Sequence, residues 1–232
     1  MVRRSASAPL AICALLTLLG AVPAVAERAQ TRKVEDSLDV FKTMTTVPER
    51  GSVQQLMKIT YALAIFPDVQ KVGFVIGAQH GNGVLIVRRG SDSWSRPLFL
   101  TLSGASVGWQ VGVQSADILL FFRTRRSLDA VLRGHYTLGV DASVAAGSLG
   151  RSAGAATDTD MKAEIYSYSR TRGIFVGVSL EGVSLDVDLE ANSAYYRKEI
   201  DKPSDVLESD SLSDPPSAIA LCQAVASWET KE

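Results

Sequence analysis

Only two cysteines and two histidines stand among 232 residues, and aromatic side chains make up 7%. So thin a supply of soft ligands excludes a zinc ribbon and a disulfide framework. Neither sign of charge dominates, with 24 Lys and Arg against 25 Asp and Glu. That balance excludes the strongly basic surface expected of a nucleic-acid binder. What is plentiful is hydrophobic residue, 46%, and glycine, 18 residues. The length suffices for one domain, or two small ones, with a core that needs no staples. Composition therefore describes a glycine-rich globular domain containing β-structure and goes no further.

Residues 1–26 read as an export signal. Arg3 and Arg4 form a positive start, and Leu10 to Leu19 (LAICALLTLL) is an apolar stretch too short for a spanning helix of ~20 residues. Ala24 and Ala26 supply the small residues of a cleavage site before Glu27. Cleavage would remove Arg3, Arg4 and Cys13 and no acid, so the mature chain would be acidic and would keep Cys222 alone. A lone cysteine in an exported chain makes no internal disulfide, and packing must supply the stability. Cys222 is expected to be a small buried hydrophobe.

The expected organisation is an amphipathic helix at 27–47, a domain at 48–197 and a polar C-terminal tail at 198–232 with a helix over 216–229. In the first helix, Val34, Leu38, Phe41 and Met44 fall on one stripe, and Pro48 ends it. A second helix is expected from Ser52 through Tyr61. Lys71–Gly77 and Gly83–Arg89 read as strands joined by a hairpin at His80-Gly81-Asn82-Gly83, because Asn-Gly favours tight turns. Leu98 to Phe122 is the longest strand-like stretch, with valines and Trp109 alternating against glycines and glutamines. Arg125–Arg133 reads as a short helix closed by Gly134. Tyr136–Gly150 is small-residue strand or loop, and Ser152–Asp160 is a polar loop. Three further strands are expected at Met161–Arg170, Ile174–Leu180 and Val183–Glu190, the last two joined by a turn at Glu181-Gly182.

No catalytic constellation is legible. His80 sits in the expected turn and His135 follows a capping glycine, and neither adjoins a G-x-S-x-G elbow. Asp186, Asp188 and Glu190 alternate along one strand and project to one face, which reads as a solvated sheet face rather than a cation loop. Gly77–Gly83 is glycine-rich but lacks the Lys-Ser/Thr of a phosphate loop. No catalytic residue, metal site or cofactor follows. What remains is basic: Arg88 and Arg89, Arg123 with Arg125 and Arg126, and Arg170 with Arg172, each near an expected strand end. Gathered at one rim, they would attract anionic headgroups.

An ordered set of strings carries a resemblance. It comprises AIFPDV from Ala64, KVGF from Lys71, GNGVL from Gly81, WSRP from Trp94, GASVGWQVG from Gly104, LGVDASVAAG from Leu138, AEIYSYSR from Ala163, GIFVGVSLEG from Gly173 and NSAYY from Asn192. In this order and spacing, over about residues 56–197, the chain resembles the SYLF family, a lipid-binding module also described as an actin-binding domain in eukaryotic endocytic proteins. The resemblance implies a non-enzymatic module that binds anionic phospholipid. Eukaryotic relatives use phosphoinositides and an N-terminal amphipathic helix. Here the corresponding helix carries acids that nearly offset its bases, so packing on the sheet competes with a membrane role. Arg197 stands where the family commonly has Gly after the tyrosine pair.

The fold expected is α+β: a strongly bent antiparallel sheet or barrel-like sandwich, covered by N-terminal helices and a short central helix. The function expected is contact with anionic phospholipid at a periplasmic membrane surface, by an exported bacterial-type member of the family. Actin is absent from that compartment, and phosphatidylglycerol or cardiolipin would be the natural ligands. The alternative is a periplasmic protein-interaction or envelope-structural protein whose lipid contact is incidental.

Overall fold

A computed structural model of the chain describes residues 21–46, 50–90, 93–134, 136–141, 144–148, 163–172, 180 and 182–229. Helices α1 (Ala21–Thr45) and α2 (Arg50–Lys58) precede two very long strands, β1 (Ala62–Val87) and β2 (Leu98–Phe122). Helix α3 (Arg125–Leu132), strands β3 (Tyr136–Thr137), β4 (Val144–Ser148), β5 (Ile165–Arg172) and β6 (Val183–Val187), and helices α4 (Leu189–Tyr196), α5 (Ser204–Leu207) and α6 (Pro216–Glu229) follow.

β1 and β2 pair antiparallel along their whole length, from Ala62 opposite Phe122 to Leu85 opposite Leu98. The outer edge of β2 is shared. β6 pairs with its first part and β5 with its last part, both antiparallel, while β3 extends β6. β4 runs parallel to β5, the one departure from an antiparallel sheet among the named pairs. The intervening residues 149–164 give the length that a parallel connection requires.

The sheet is curled, and β1 shows by how much. A straight strand of this length would span ~80 Å. Instead the Arg88 amide, just past its end, donates to the Tyr61 carbonyl, just before its start, at 2.9 Å. The ribbon bends at two register irregularities, between Phe66 and Val69 and between Gly73 and Val75. Asp68 sits in the first with φ of 55°, a left-handed conformation that Asp tolerates better than most residues. The expected hairpin at His80–Gly83 does not form. Asn82 and Gly83 lie inside β1, opposite Thr101 and Leu100. Glycine is needed there for closeness rather than for a turn. A Cβ at Gly83 would run into the Ile65 carbonyl and lie 2.6 Å from the Phe66 ring, and one at Gly81 would lie 2.7 Å from Val69.

Where the two strands are most deeply buried, both faces are covered. Ala62–Phe66 and Ile118–Phe122 are all fully buried, which explains why these segments read as unbroken apolar runs. α1 lies on β1 and against α4 and α6. Its stripe of Val34, Phe41 and Met44 is buried, and Leu38 packs at the margin. Phe41 meets Trp228 of α6 edge to face at 6.0 Å. The apolar face of α1 is therefore spent on the core. The helix is continuous across the expected cleavage point at Ala26–Glu27. No described helix is long and apolar enough to cross a membrane.

The regular run Val183–Glu190 divides. β6 ends at Val187, and Asp188 caps α4 by accepting from the Ala191 amide at 2.9 Å. Asp186 accepts from Ser184 at 2.8 Å. The three acids thus do not form one sheet face. The stretch from 198 onward packs into the same core, through Ile200, Val206, Leu207, Leu212, Leu221 and Val225. Residues 1–20, the polar loop 152–160 and all but Leu180 of the expected strand Ile174–Leu180 lie outside the described residues.

Candidate functional site

Several of the described residues that carry the family resemblance hold the fold together. Asn192 is fully buried, and its amide pairs with the backbone of Phe99. Its Oδ1 accepts from Phe99 N at 3.0 Å, and its Nδ2 donates to Phe99 O at 3.2 Å and to Asp188 O at 2.7 Å. The side chain continues the β2–β6 ladder one step past the end of β6. Tyr195 packs on Phe99 with ring centroids 5.0 Å apart, and its hydroxyl meets Ser217 at 2.7 Å. Tyr196 donates to the Pro97 carbonyl at 2.6 Å. Burial pushes the Tyr195 hydroxyl up to about 12 and the Tyr196 hydroxyl further up, so both stay protonated donors.

The Trp94–Pro97 segment is the other half of this joint. Ser95 accepts from Val87 N at 2.9 Å and donates to Arg96 O at 2.9 Å. Arg96 donates to the carbonyls of Ser209 and Leu212, at 2.6 and 2.8 Å, and pairs with Asp214. The Cys222 thiol donates to Ser95 O at 3.1 Å and is pushed up to about 12, mainly by burial, so it is a poor nucleophile. Arg197, where the family commonly has Gly, closes α4 in the left-handed conformation, with φ of 52°. Its guanidinium pairs with Glu27 of α1.

The seven arginines singled out in the sequence separate into two groups. Arg88 and Arg170 are engaged inside the fold. Arg88 donates from Nε to Thr60 O at 2.8 Å and from Nη2 to Met57 O at 2.7 Å, and lies 4.7 Å above the Trp94 ring. It caps the C-terminal end of α2, where carbonyls lack helical partners. Arg170 pairs at 2.9 Å with Asp117, which is fully buried and also accepts from Asp68 N at 3.1 Å. Carboxylates of Asp36, Asp39 and Asp68 share the cleft beside that pair, so no cationic surface results.

Arg123, Arg125 and Arg126 come together at one end of the sheet. Arg123 follows β2 and reaches Ala163 O at 3.3 Å. Arg125 and Arg126 open α3, whose Thr124 cap accepts from Ser127 N at 3.1 Å. Ser127, Leu128 and Val131 bury the inner face of α3, which turns Arg125 and Arg126 outward. Arg125 makes an exposed pair with Asp129 at 3.6 Å. Arg133, just past the end of α3, is also exposed; in the string RRSLDAVLR it stands apart from the Arg125-Arg126 pair, which is why the sequence did not group it with them. Arg89 is exposed elsewhere, beside α6 near Cys222. Arg172 pairs through its backbone with Ser115 at the far end of β5. A single rim of all seven does not form.

Between α3 and β3 lies a cleft of about 310 Å³. Arg126, Arg133, Asp141, Glu164 and Tyr136 are among the residues that line it. Tyr136 is buried, and among the described residues its hydroxyl has no hydrogen-bond partner. Burial, then the charges of Glu164 and Asp141, push that hydroxyl up to about 12. Among the described residues no group of His, Cys, Asp and Glu is placed to hold a metal ion. His80 is exposed on β1, and His135 lies outside the described residues.

Comparison with known proteins places this geometry. A family model, Ysc84, described as "Las17-binding protein actin regulator", matches residues 103–228. SH3 domain-containing YSC84-like protein 1 of Xenopus laevis is 29% identical over 172 residues, 73% of this chain and 51% of that protein. LAS seventeen-binding protein 3 of Saccharomyces cerevisiae is 32% identical over 174 residues, 73% of this chain and 38% of that protein. The mouse SH3 domain-containing YSC84-like protein 1 is 30% identical over 207 residues, 88% of this chain and 60% of that protein. The chain thus spans only part of the length of the curated relatives that it matches.

Proposed function

From the premise that this chain belongs to the Ysc84 family, the family named SYLF in the sequence analysis, we propose that it is a non-enzymatic binding module contacting anionic phospholipid. The observation that carries this reading is the cluster of arginines around α3, with Arg125, Arg126 and Arg133 exposed and Arg123 half-buried. Arg123, Arg125, Arg126 and Arg133 lie at one end of the sheet, with the acids of the α1 cleft elsewhere. Each such cation adds about 1 kcal/mol near an anionic leaflet, within a Debye length. Arg89 and Arg172 are further, separate contacts in this proposal. Arg88 and Arg170 act indirectly, by holding the ribbon.

The setting belongs to the same proposal. Residues 1–26 serve as an export signal, and the mature module works at a periplasmic membrane surface, where phosphatidylglycerol or cardiolipin supplies the charge. The α1 helix contributes by packing, since its apolar stripe is buried. A second reading rests on the family's description as a Las17-binding actin regulator and on the yeast relative's name, LAS seventeen-binding protein 3. By it the module binds a protein partner, and lipid contact is incidental.

Co-sedimentation of residues 27–232 with neutral and anionic vesicles, at low and high salt, separates the two. The lipid reading expects binding that needs anionic lipid, weakens with salt, and falls at least ~10-fold when Arg123, Arg125 and Arg126 are all changed to Gln. Unchanged binding by that triple variant overturns the arginine assignment. Absence of binding to any vesicle overturns the lipid reading in favour of the protein partner.

A further inference from the structure

Two helices that pack on each other show water opposite kinds of face. On α1 the exposed positions include Arg28, Arg32, Glu35, Asp36, Asp39 and Lys42, the charged side that a surface helix normally presents. On α6 the exposed positions are Pro216, Ile219, Ala220, Gln223 and Ser227. From Pro216 through Trp228 the helix carries no charged residue, in a chain of which 21% is charged. The two helices touch where Phe41 meets Trp228, so the contrast is between neighbours.

Packing on the core explains only the inner side of α6. Ala218, Leu221 and Val225 are buried there. Ile219 is 43% exposed and belongs to the other side. At 3.6 residues per turn the five exposed positions fall in one stripe roughly 100° wide. A helix without charge on either side is the pattern of one covered on both sides.

The chemistry of the stripe constrains its cover. A leaflet is met by bases flanking a broad apolar face, and the stripe has no base and one large apolar side chain. A different protein would leave α6 free to use charge for steering and specificity. A second copy would not. In a two-fold contact the residue on the axis meets itself, so a charge there is repelled by its like. Gln223 stands near the middle of the stripe. Its amide both donates and accepts, so it can bond to its own copy. Residues equally far on either side of the axis then meet. Four steps away these are Ile219 and Ser227, one large and one small.

We propose that the outer face of α6 is a two-fold contact between two copies of this chain. The helices run antiparallel, with Gln223 against Gln223 on the axis and Ile219 of each copy over Ser227 of the other. The contact is small. A helix of this length spans ~21 Å, and a face ~10 Å wide buries on the order of 500 Å² over both copies. Stable dimers bury ~1,200 Å² or more, so this one is transient and forms at high local concentration. The inference stands apart from the phospholipid reading, since it uses no residue of the α3 cluster.

Sedimentation velocity of the mature chain, from about 10 μM to about 1 mM, reads the association. The expected result is a reversible, concentration-dependent shift from monomer to dimer. Gln223→Glu and Gln223→Lys each set like charges on the axis and weaken association at least ~10-fold. An equimolar mixture of the two variants restores it, because the acid of one then faces the base of the other. The position is exposed, so circular dichroism is expected to show both variants folded as the parent. Rescue by mixing is a result that contact through any other face does not give. Monomer at every concentration overturns the proposal. So does association that neither variant weakens, or a mixture no stronger than its components. A monomeric chain whose binding to anionic vesicles falls with Ile219→Ser also overturns it, and assigns the face to the leaflet.

Discussion

Asn192→Ala tests the joint between α4 and the sheet. The side chain makes three hydrogen bonds in a fully buried position, two of them to one residue, Phe99. The Phe99 carbonyl keeps a partner after truncation, because the Asp188 amide also donates to it at 3.0 Å. Asn192 is the acceptor that the structure provides for the Phe99 amide, and Phe99 is 1% exposed. An orphaned buried donor costs about 1–3 kcal/mol, and the lost bond to Asp188 O adds about 1 kcal/mol. The expected total is about 3 kcal/mol, which for a chain of this size lowers Tm by about 6–12 °C. Urea unfolding followed by circular dichroism reads the free energy directly. Asn192→Leu is the discriminating control, since it restores volume without the acceptor. If Asn192→Leu recovers most of the stability, or Asn192→Ala loses under about 0.5 kcal/mol, the hydrogen-bonding argument fails and packing alone holds the joint.

Two further perturbations follow. Gly83→Ala forces a Cβ against the Ile65 carbonyl and the Phe66 ring, which are backbone and core and cannot yield cheaply. It is expected to destabilise by about 3 kcal/mol or more by the same urea assay, and a neutral result would mean that the curl of β1 relaxes freely. Raising the pH should unfold the protein. Tyr136 and Tyr195 move from 10.0 to about 12, and Cys222 from 9.0 to about 12, so each holds its proton longer folded than unfolded. Their contribution is complete below about pH 9 and is lost as pH rises towards 12. Urea midpoints measured from pH 8 to 11.5 should fall steadily, and a flat profile would contradict the burial of these groups.

The sequence made the strands' existence legible and hid their path. The apolar run ILLFF closes the expected strand Leu98–Phe122 and the string RRSLDAVLR reads as the helix that α3 is, whereas ALAIF, the start of β1, stands in no expected strand. Asn82-Gly83 misled, because a glycine needed for backbone approach looks the same in sequence as one needed for a turn. Val183–Glu190 misled in the same way. Alternation continued past Val187 although Asp188 had begun to cap a helix. The strings of the family resemblance pointed to the family but not to a site, since Asn192, Tyr196 and Ser95 serve the fold. Of the arginines, charge alone could not separate Arg88 and Arg170, each with a buried partner reached across the chain, from Arg125 and Arg126 on the outer face of α3.

The closing of the curl has a consequence in time. Its fastenings are all distant in the chain: Phe99 to Asn192 across 93 residues, Pro97 to Tyr196 across 99, Arg96 to Ser209 across 113 and Ser95 to Cys222 across 127. None can be made until α4 or a later segment exists, and contacts of such long range slow folding by the loops that must close first. Growing from its N-terminus, the chain therefore gains these fastenings late and in order, with α4, then Ser209, then α6. The last of them waits for α6, which latches the segment between the two long strands.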